Sequence, residues 1–250
     1  MDLRERAPGA RPTPTVRHPW EAARAAFLIE RLRGVIAMGS RVLDVGAGDA
    51  WLATELQQAT GCDITCWDAH FSDEDKAELR ARGMQTTRVA PRGPFDVALL
   101  LDVLEHAEDD RALLRRVVER VRPGGAVLVT VPAWPALFSA HDRALHHHRR
   151  YTPRDCRTLL QGEGLIIESS GGLFHSLLLP RALAALLERV GLRKAPESHG
   201  IGHWRHGRLA AEGITAALRA EQRLSALAAR RQLDVPGLSY FALCSLRAGT

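Results

Sequence analysis

The stretch "VLDVGAGDAW", residues 42–51, joins a short apolar run to a helical one through two glycines. Val42, Leu43 and Val45 read as a brief buried strand, and the pattern from Asp49 to Thr60 reads as a helix closed by Gly61. Asp44, Gly46 and Gly48 therefore stand at the carboxyl end of a strand, where the backbone turns tightly and leaves space for a ligand. A dinucleotide fingerprint wants a third glycine at position 51; Trp51 argues against NAD or FAD. No Gly-Lys-Ser/Thr follows, so this is not a triphosphate-cradling loop either.

Working outward, strands and helices alternate. "DITCWD" (63–68), "MQTTRV" (84–89), "FDVALLLD" (95–102) and "AVLVTVP" (126–132) read as strands two to five. Between them lie a helix opened by Ser72 and left at Gly83, and another over 109–125 that ends in Pro-Gly-Gly. A helix from Pro153 to about Glu163, a sixth strand "GLIIESS" (164–170) and a seventh "LSYFALCSL" (238–246) complete the series. Such alternation predicts an α/β fold, a doubly wound, seven-stranded Rossmann-like sheet paired through right-handed crossovers. The expected organisation is a flexible Arg- and Pro-rich arm over 1–17 and a core over 18–170 with a helix from Trp20 as its cap. An inserted helical lid follows over 171–236, then the final strand of the core in 237–250. The insert's helices are built on Leu183, Leu186, Leu187 and Val190, and on Ile214, Leu218, Leu224 and Leu227.

Composition narrows the classes. With 250 residues, 46% of them hydrophobic, the chain can bury a large core. Thirty-four Lys and Arg against 29 Asp and Glu leave only +5, too little to argue a nucleic-acid partner. Cys62, Cys66, Cys156 and Cys244 lack the C-x-x-C spacing of a zinc site, so free thiols and a cytoplasmic setting are expected. The first residues carry no secretory signal pattern, and Pro180 and Arg181 break the most apolar later run.

The glycine loop resembles motif I of the class I S-adenosylmethionine-dependent methyltransferases, with Ala50 in place of the last glycine. The resemblance implies S-adenosyl-L-methionine as cofactor, with Gly46, Ala47 and Gly48 against its methionine part and Asp44 on its amino group. It further implies Asp68 on the ribose hydroxyls beside Ala69, main chain near Ala90 by the adenine, and Asp102 of "LLLDVLEH" beside the cofactor. "RPGG" before the fifth strand is another habitual feature, and the absence of Asn-Pro-Pro-Tyr after the fourth argues against nucleic-acid methylation.

"HHHRRY", residues 146–151, follows the fifth strand. The wider stretch resembles a bacterial methyltransferase subgroup with Asp-x-x-Leu-x-His-x-Arg-Arg-Tyr-Thr here and a segment like "RHPWE" (17–21) at the start. In-line methyl transfer to a hydroxyl or an ammonium needs a base, and imidazole titrates near neutrality. His147 is the first candidate and His106 the second; Tyr151 would orient the acceptor, and Arg149 and Arg150 would fix an anionic group. Asp142, Trp20 and Arg24 complete the expected substrate side, while His146 and His148 are expected in solvent. Asp102, Glu105 and His106 echo a divalent-ion constellation of ubiquinone-pathway O-methyltransferases, yet no resident metal is expected. His199, His203 and His206 sit among glycines and are read as a loop. The function implied is methyl transfer to a small-molecule or lipid-linked acceptor at O or N, with a non-catalytic cofactor-binding regulator as the alternative. The insert's Ala-Leu faces leave room for peripheral membrane contact or a homodimer.

Overall fold

The computed structural model describes residues 17–192, 207–230 and 235–247. Almost all of the expected arm and the three histidines at 199, 203 and 206 lie outside these. Seven strands form one sheet: β1 (Arg41–Val45), β2 (Asp63–Trp67), β3 (Gln85–Thr87), β4 (Phe95–Leu101), β5 (Val121–Pro132), β6 (Leu165–Leu173) and β7 (Ser239–Leu246). Their order is β3-β2-β1-β4-β5-β7-β6, with β7 antiparallel to both neighbours and the other pairs parallel. The helices are α1 (Pro19–Leu32), α2 (Trp51–Thr60), α3 (Asp73–Ala81), α4 (Asp110–Val118), α5 (Ala140–Ala144), α6 (Pro153–Gly162), α7 (His175–Arg189) and α8 (Arg208–Arg230).

Both faces of the sheet are covered because alternate residues of the central strands are apolar in both directions. Val97 and Leu99 of β4, Leu128 of β5 and Phe241 of β7 share a core with Leu28 of α1, Leu56 of α2 and Leu218 of α8. Their chain neighbours Ala98, Leu100, Val129 and Tyr240 face the other way, onto Leu114 and Val117 of α4 and Leu160 of α6. Local sequence sets the helix starts. Ser72 and Asp75 form a capping box on α3, and His18 accepts the Trp20 N–H before α1, with Pro19 in its first turn.

One boundary differs from expectation. The fourth helix stops at Val118, and the residues expected as its last turn, Val121 to Gly125, already belong to β5. Val121 pairs with Phe95, and the register then shifts before Val97 meets Ala126, so Arg-Pro-Gly-Gly is a bulge inside a strand. A Cβ on Gly125 would lie 2.8 Å from the Asp96 carbonyl oxygen, which explains glycine at this crossing. The direction of β7 follows from its connection. β6 ends at Leu173, α7 starts two residues later, and the chain returns at the same sheet edge, where the Leu238 N–H reaches the Phe174 carbonyl at 3.4 Å. The helices between β6 and β7 thus emerge from the edge where the parallel strands end, and α8 packs on α1. No helix among the described residues is long and apolar enough to cross a membrane.

Candidate active site

β1 and β4 are neighbours from which the chain departs in opposite directions, the switch point where open α/β sheets bind ligands. A cavity of about 530 Å³ opens there, walled by the residues that follow β1, β2, β4, β5 and β6 and by the start of α1.

At one end lie Asp44, Gly46, Ala47, Asp68, Ala69, Asp102 and Val103. Gly46 has φ +65°, and a Cβ there would meet Val103 Cγ2 at 2.8 Å, so the loop closes against the β4 end only with glycine. The buried Asp68 carboxylate accepts the Gly48 N–H at 3.0 Å and the His70 N–H at 2.8 Å, which fixes it beside the loop while lone pairs remain for two further donors. Gly48 itself sits under the loop and not on the cavity wall. Burial, and then the charge of Asp68, carry the Asp44 carboxyl up to about 7. A bound cationic group would reverse that cost. A carboxylate with two open acceptor sites, a second acid awaiting a cation and a glycine floor fit a nucleoside bearing an amino-acid tail. Ala90, expected near the adenine, is half-buried against the core and does not line this cavity.

The other end is built by Trp20, Arg24, His106, His141, Leu145, His147, Phe174 and Leu177. Arg17 pairs with Asp49 at 2.6 Å and stacks over Trp51, drawing the segment before α1 across the glycine loop. Arg24 stacks on Trp20 and pairs with Asp102, which also accepts the Thr130 hydroxyl at 2.9 Å. His147 follows β5 on a loop tied down twice: the His148 N–H donates to the Glu105 carbonyl at 2.8 Å, and Tyr151 bridges to Ala133 beside the strand. His146 closes the turn after α5 with φ +57°, and beyond it His147 lines the cavity while His146 and His148 are exposed.

Several expected contacts are replaced by internal ones. Tyr151 is buried, and its hydroxyl donates to Asp110 at 2.8 Å, away from the cavity. Arg149 donates to the Ala107 and Glu108 carbonyls, pairs with Asp110 and does not line the cavity. Arg150 reaches the cavity wall, yet its guanidinium is taken by Asp142 at 2.7 Å and the Ala133 carbonyl at 3.1 Å. Asp142 is wholly buried and touches no cavity. It accepts from Arg150, Arg181, the Ser139 N–H and His147 Nδ1 at 3.2 Å. Because an ionised carboxylate only accepts, Nδ1 carries the proton and the His147 lone pair sits on Nε2.

Asp102 is engaged by Thr130 and Arg24 and does not converge with Glu105 and His106 in one ligand set among the described residues. What converges instead is Glu105, His106 and His147, whose polar atoms lie within 4.8 Å of one another. Sequence reading overlooked Phe174 and Leu177. Their signal was the one used for the other strands, a position just past a strand's carboxyl end.

Residues 17–197 match a methyltransferase-domain family. A ubiquinone biosynthesis O-methyltransferase of Xanthomonas axonopodis pv. citri is 24% identical over 182 residues, 63% of this chain and 74% of its own length. Among solved structures, a putative sarcosine dimethylglycine methyltransferase of Galdieria sulphuraria superposes with a TM-score of 0.57 at 14% identity, covering 91% of this chain and 86% of that one. A Haemonchus contortus phosphoethanolamine N-methyltransferase with S-adenosyl-L-methionine bound gives 0.56 at 16% identity, covering 91% and 53%. The match spans most of the chain and includes every strand end that forms the cavity except the start of β7: this protein belongs to the methyltransferase-domain family, a class I enzyme whose cofactor is S-adenosylmethionine.

Proposed function

We propose that the enzyme methylates a hydroxyl oxygen on an uncharged, largely apolar small-molecule or lipid-linked acceptor, with His147 as the base. The observation that carries this reading is His147 on the cavity wall, backed by Asp142, at the end of the cavity where Trp20, Leu145, Phe174 and Leu177 supply the apolar surface. Both arginines on the cavity wall, Arg24 and Arg150, are already paired with carboxylates, leaving no guanidinium fork for an acceptor's phosphate or carboxylate. The O-methyltransferase relative named above is consistent with a hydroxyl acceptor.

S-adenosylmethionine supplies an electrophilic methyl group on a positively charged sulfur. On this reading Asp68 takes both ribose hydroxyls, and Asp44 and the Gly46 loop hold the amino-acid end. Trp20 and Phe174, which meet edge to face at 6.1 Å, exclude water from the acceptor side. His147 Nε2 removes the hydroxyl proton as the oxygen attacks opposite the departing sulfur, and Asp142 keeps the ring in the tautomer that can do so.

Transfer of labelled methyl from S-adenosylmethionine to phenolic and catecholic probes tests this. O-methylated product is expected, and His147→Ala lowers kcat about 100-fold or more while S-adenosylhomocysteine affinity stays within about twofold. An unchanged kcat in that variant, or transfer to amine probes alone, contradicts it. A pH effect follows from Asp44. An ammonium bound beside it favours the carboxylate, so binding expels a proton wherever the free protein holds one. Affinity for S-adenosylhomocysteine should therefore climb by up to about tenfold per pH unit below 7 and flatten above it. Calorimetry in buffers of different ionisation enthalpy reads the proton directly.

A further inference from the structure

Glu105 is the acid at this site with no work assigned to it. Its side chain is wholly shielded from solvent, and neither carboxyl oxygen has a hydrogen-bond partner among the described residues. An enclosed carboxyl group without partners is costly, and the cost falls when a proton can be placed on it. Proton carriers stand next to it. The His106 and His147 rings meet edge to face with centroids 4.6 Å apart, and one nitrogen of each lies within 4.8 Å of a Glu105 oxygen. Arg24 from α1 and Arg150 beyond β5 favour the carboxylate, while Asp142 opposes it; Tyr151 and Cys156 lie within its electrostatic reach.

We propose that Glu105 is the proton sink behind the base: the proton that His147 takes from the acceptor passes through the His106–His147 pair to the Glu105 carboxylate. The inference rests on His147 being the base. The acceptor O–H bond breaks as the O–CH3 bond forms, the S–CH3 electron pair stays on sulfur, and the carboxylate becomes a carboxylic acid that returns its proton to water when product leaves. The positive charge lost from sulfur is matched by the negative charge lost from the carboxylate, so the enclosed site gains no net charge. Burial, its largest influence, brings Glu105 up to about 8. The relay needs the carboxylate, so turnover should rise with pH toward that value.

The test follows turnover of a catechol probe by the full chain as a function of pH, with kcat and acceptor KM measured separately. In Glu105→Gln kcat is expected to fall at least tenfold with acceptor KM within twofold, and the rise of turnover toward pH 8 to vanish. Glu105→Asp, which keeps a carboxyl, recovers part of the rate. Melting with and without S-adenosylhomocysteine reports on folding of each variant. An unchanged kcat and an unchanged pH profile in Glu105→Gln overturn the relay while leaving His147 as base. An unaffected His147→Ala overturns both. Tight Zn²⁺ or Mn²⁺ binding that is lost in Glu105→Gln also overturns it, assigning the three groups to a cation.

Discussion

Asp68→Ala is expected to raise the dissociation constant for S-adenosylhomocysteine at least about 100-fold. Two losses combine. In the proposed binding mode the ribose loses an ionised acceptor for two hydroxyls, and each charge-assisted hydrogen bond contributes about 1.5–3 kcal/mol. The glycine loop also loses its anchor, because the same carboxylate holds the Gly48 N–H at 3.0 Å and the His70 N–H at 2.8 Å. Roughly 3–5 kcal/mol corresponds to a factor of about 10² to 10³ in affinity. Asp68→Asn keeps the shape and one acceptor oxygen, so its loss should be closer to tenfold. Titration calorimetry reads both, and wild-type affinity in the alanine variant would remove Asp68 from the cofactor site.

The second large effect is on stability. Asp142→Ala should lower the free energy of unfolding by about 3–5 kcal/mol, because it strands the buried Arg150 guanidinium and opens the cap of α5 at Ser139. In a chain of this size that corresponds to a melting point lower by about 10 °C. The pH dependence has a definite sign. Burial opposes ionisation of Asp142, but the His147 hydrogen bond and the Arg150 charge outweigh it and hold the carboxyl well below the usual range. Its contribution is therefore complete above the unfolded value of about 4 and is lost as pH falls further. The gap between variant and parent should begin to narrow below about pH 4 and close only well below it, and a gap that does not narrow as pH falls would mean the carboxylate charge is not what stabilises this loop.

How far the sequence carried depended on the range of the interaction. The glycine loop, the acid after β2, the helix start at Ser72 and the alternation of elements are set by neighbours within a few residues, and each is found where the local pattern put it. The fates of Arg149 and Tyr151 were not legible, because their shared partner Asp110 lies about forty residues earlier and nothing local marks the pairing. Asp142 looked like a ligand for substrate, being polar and near the pocket in sequence. Four donors converging on it from α5, α7 and the β5 loop make it a buried hub instead. Strain was equally silent. Asp102 at φ +56° and Phe174 at φ +60° take left-handed conformations that residue type does not announce, and both sit on the cavity wall. The Arg-Pro-Gly-Gly bulge was misread as a helix end because proline and glycine interrupt helices and strands alike.

A crystal structure with S-adenosylhomocysteine tests the central claim most directly. The nucleoside should lie between the β1 and β4 ends with both ribose hydroxyls on Asp68, the amino group near Asp44, and the sulfur open toward His147 across the apolar half-cavity. A ligand seated elsewhere, or one in this crevice whose sulfur is walled off from His147, would contradict the account.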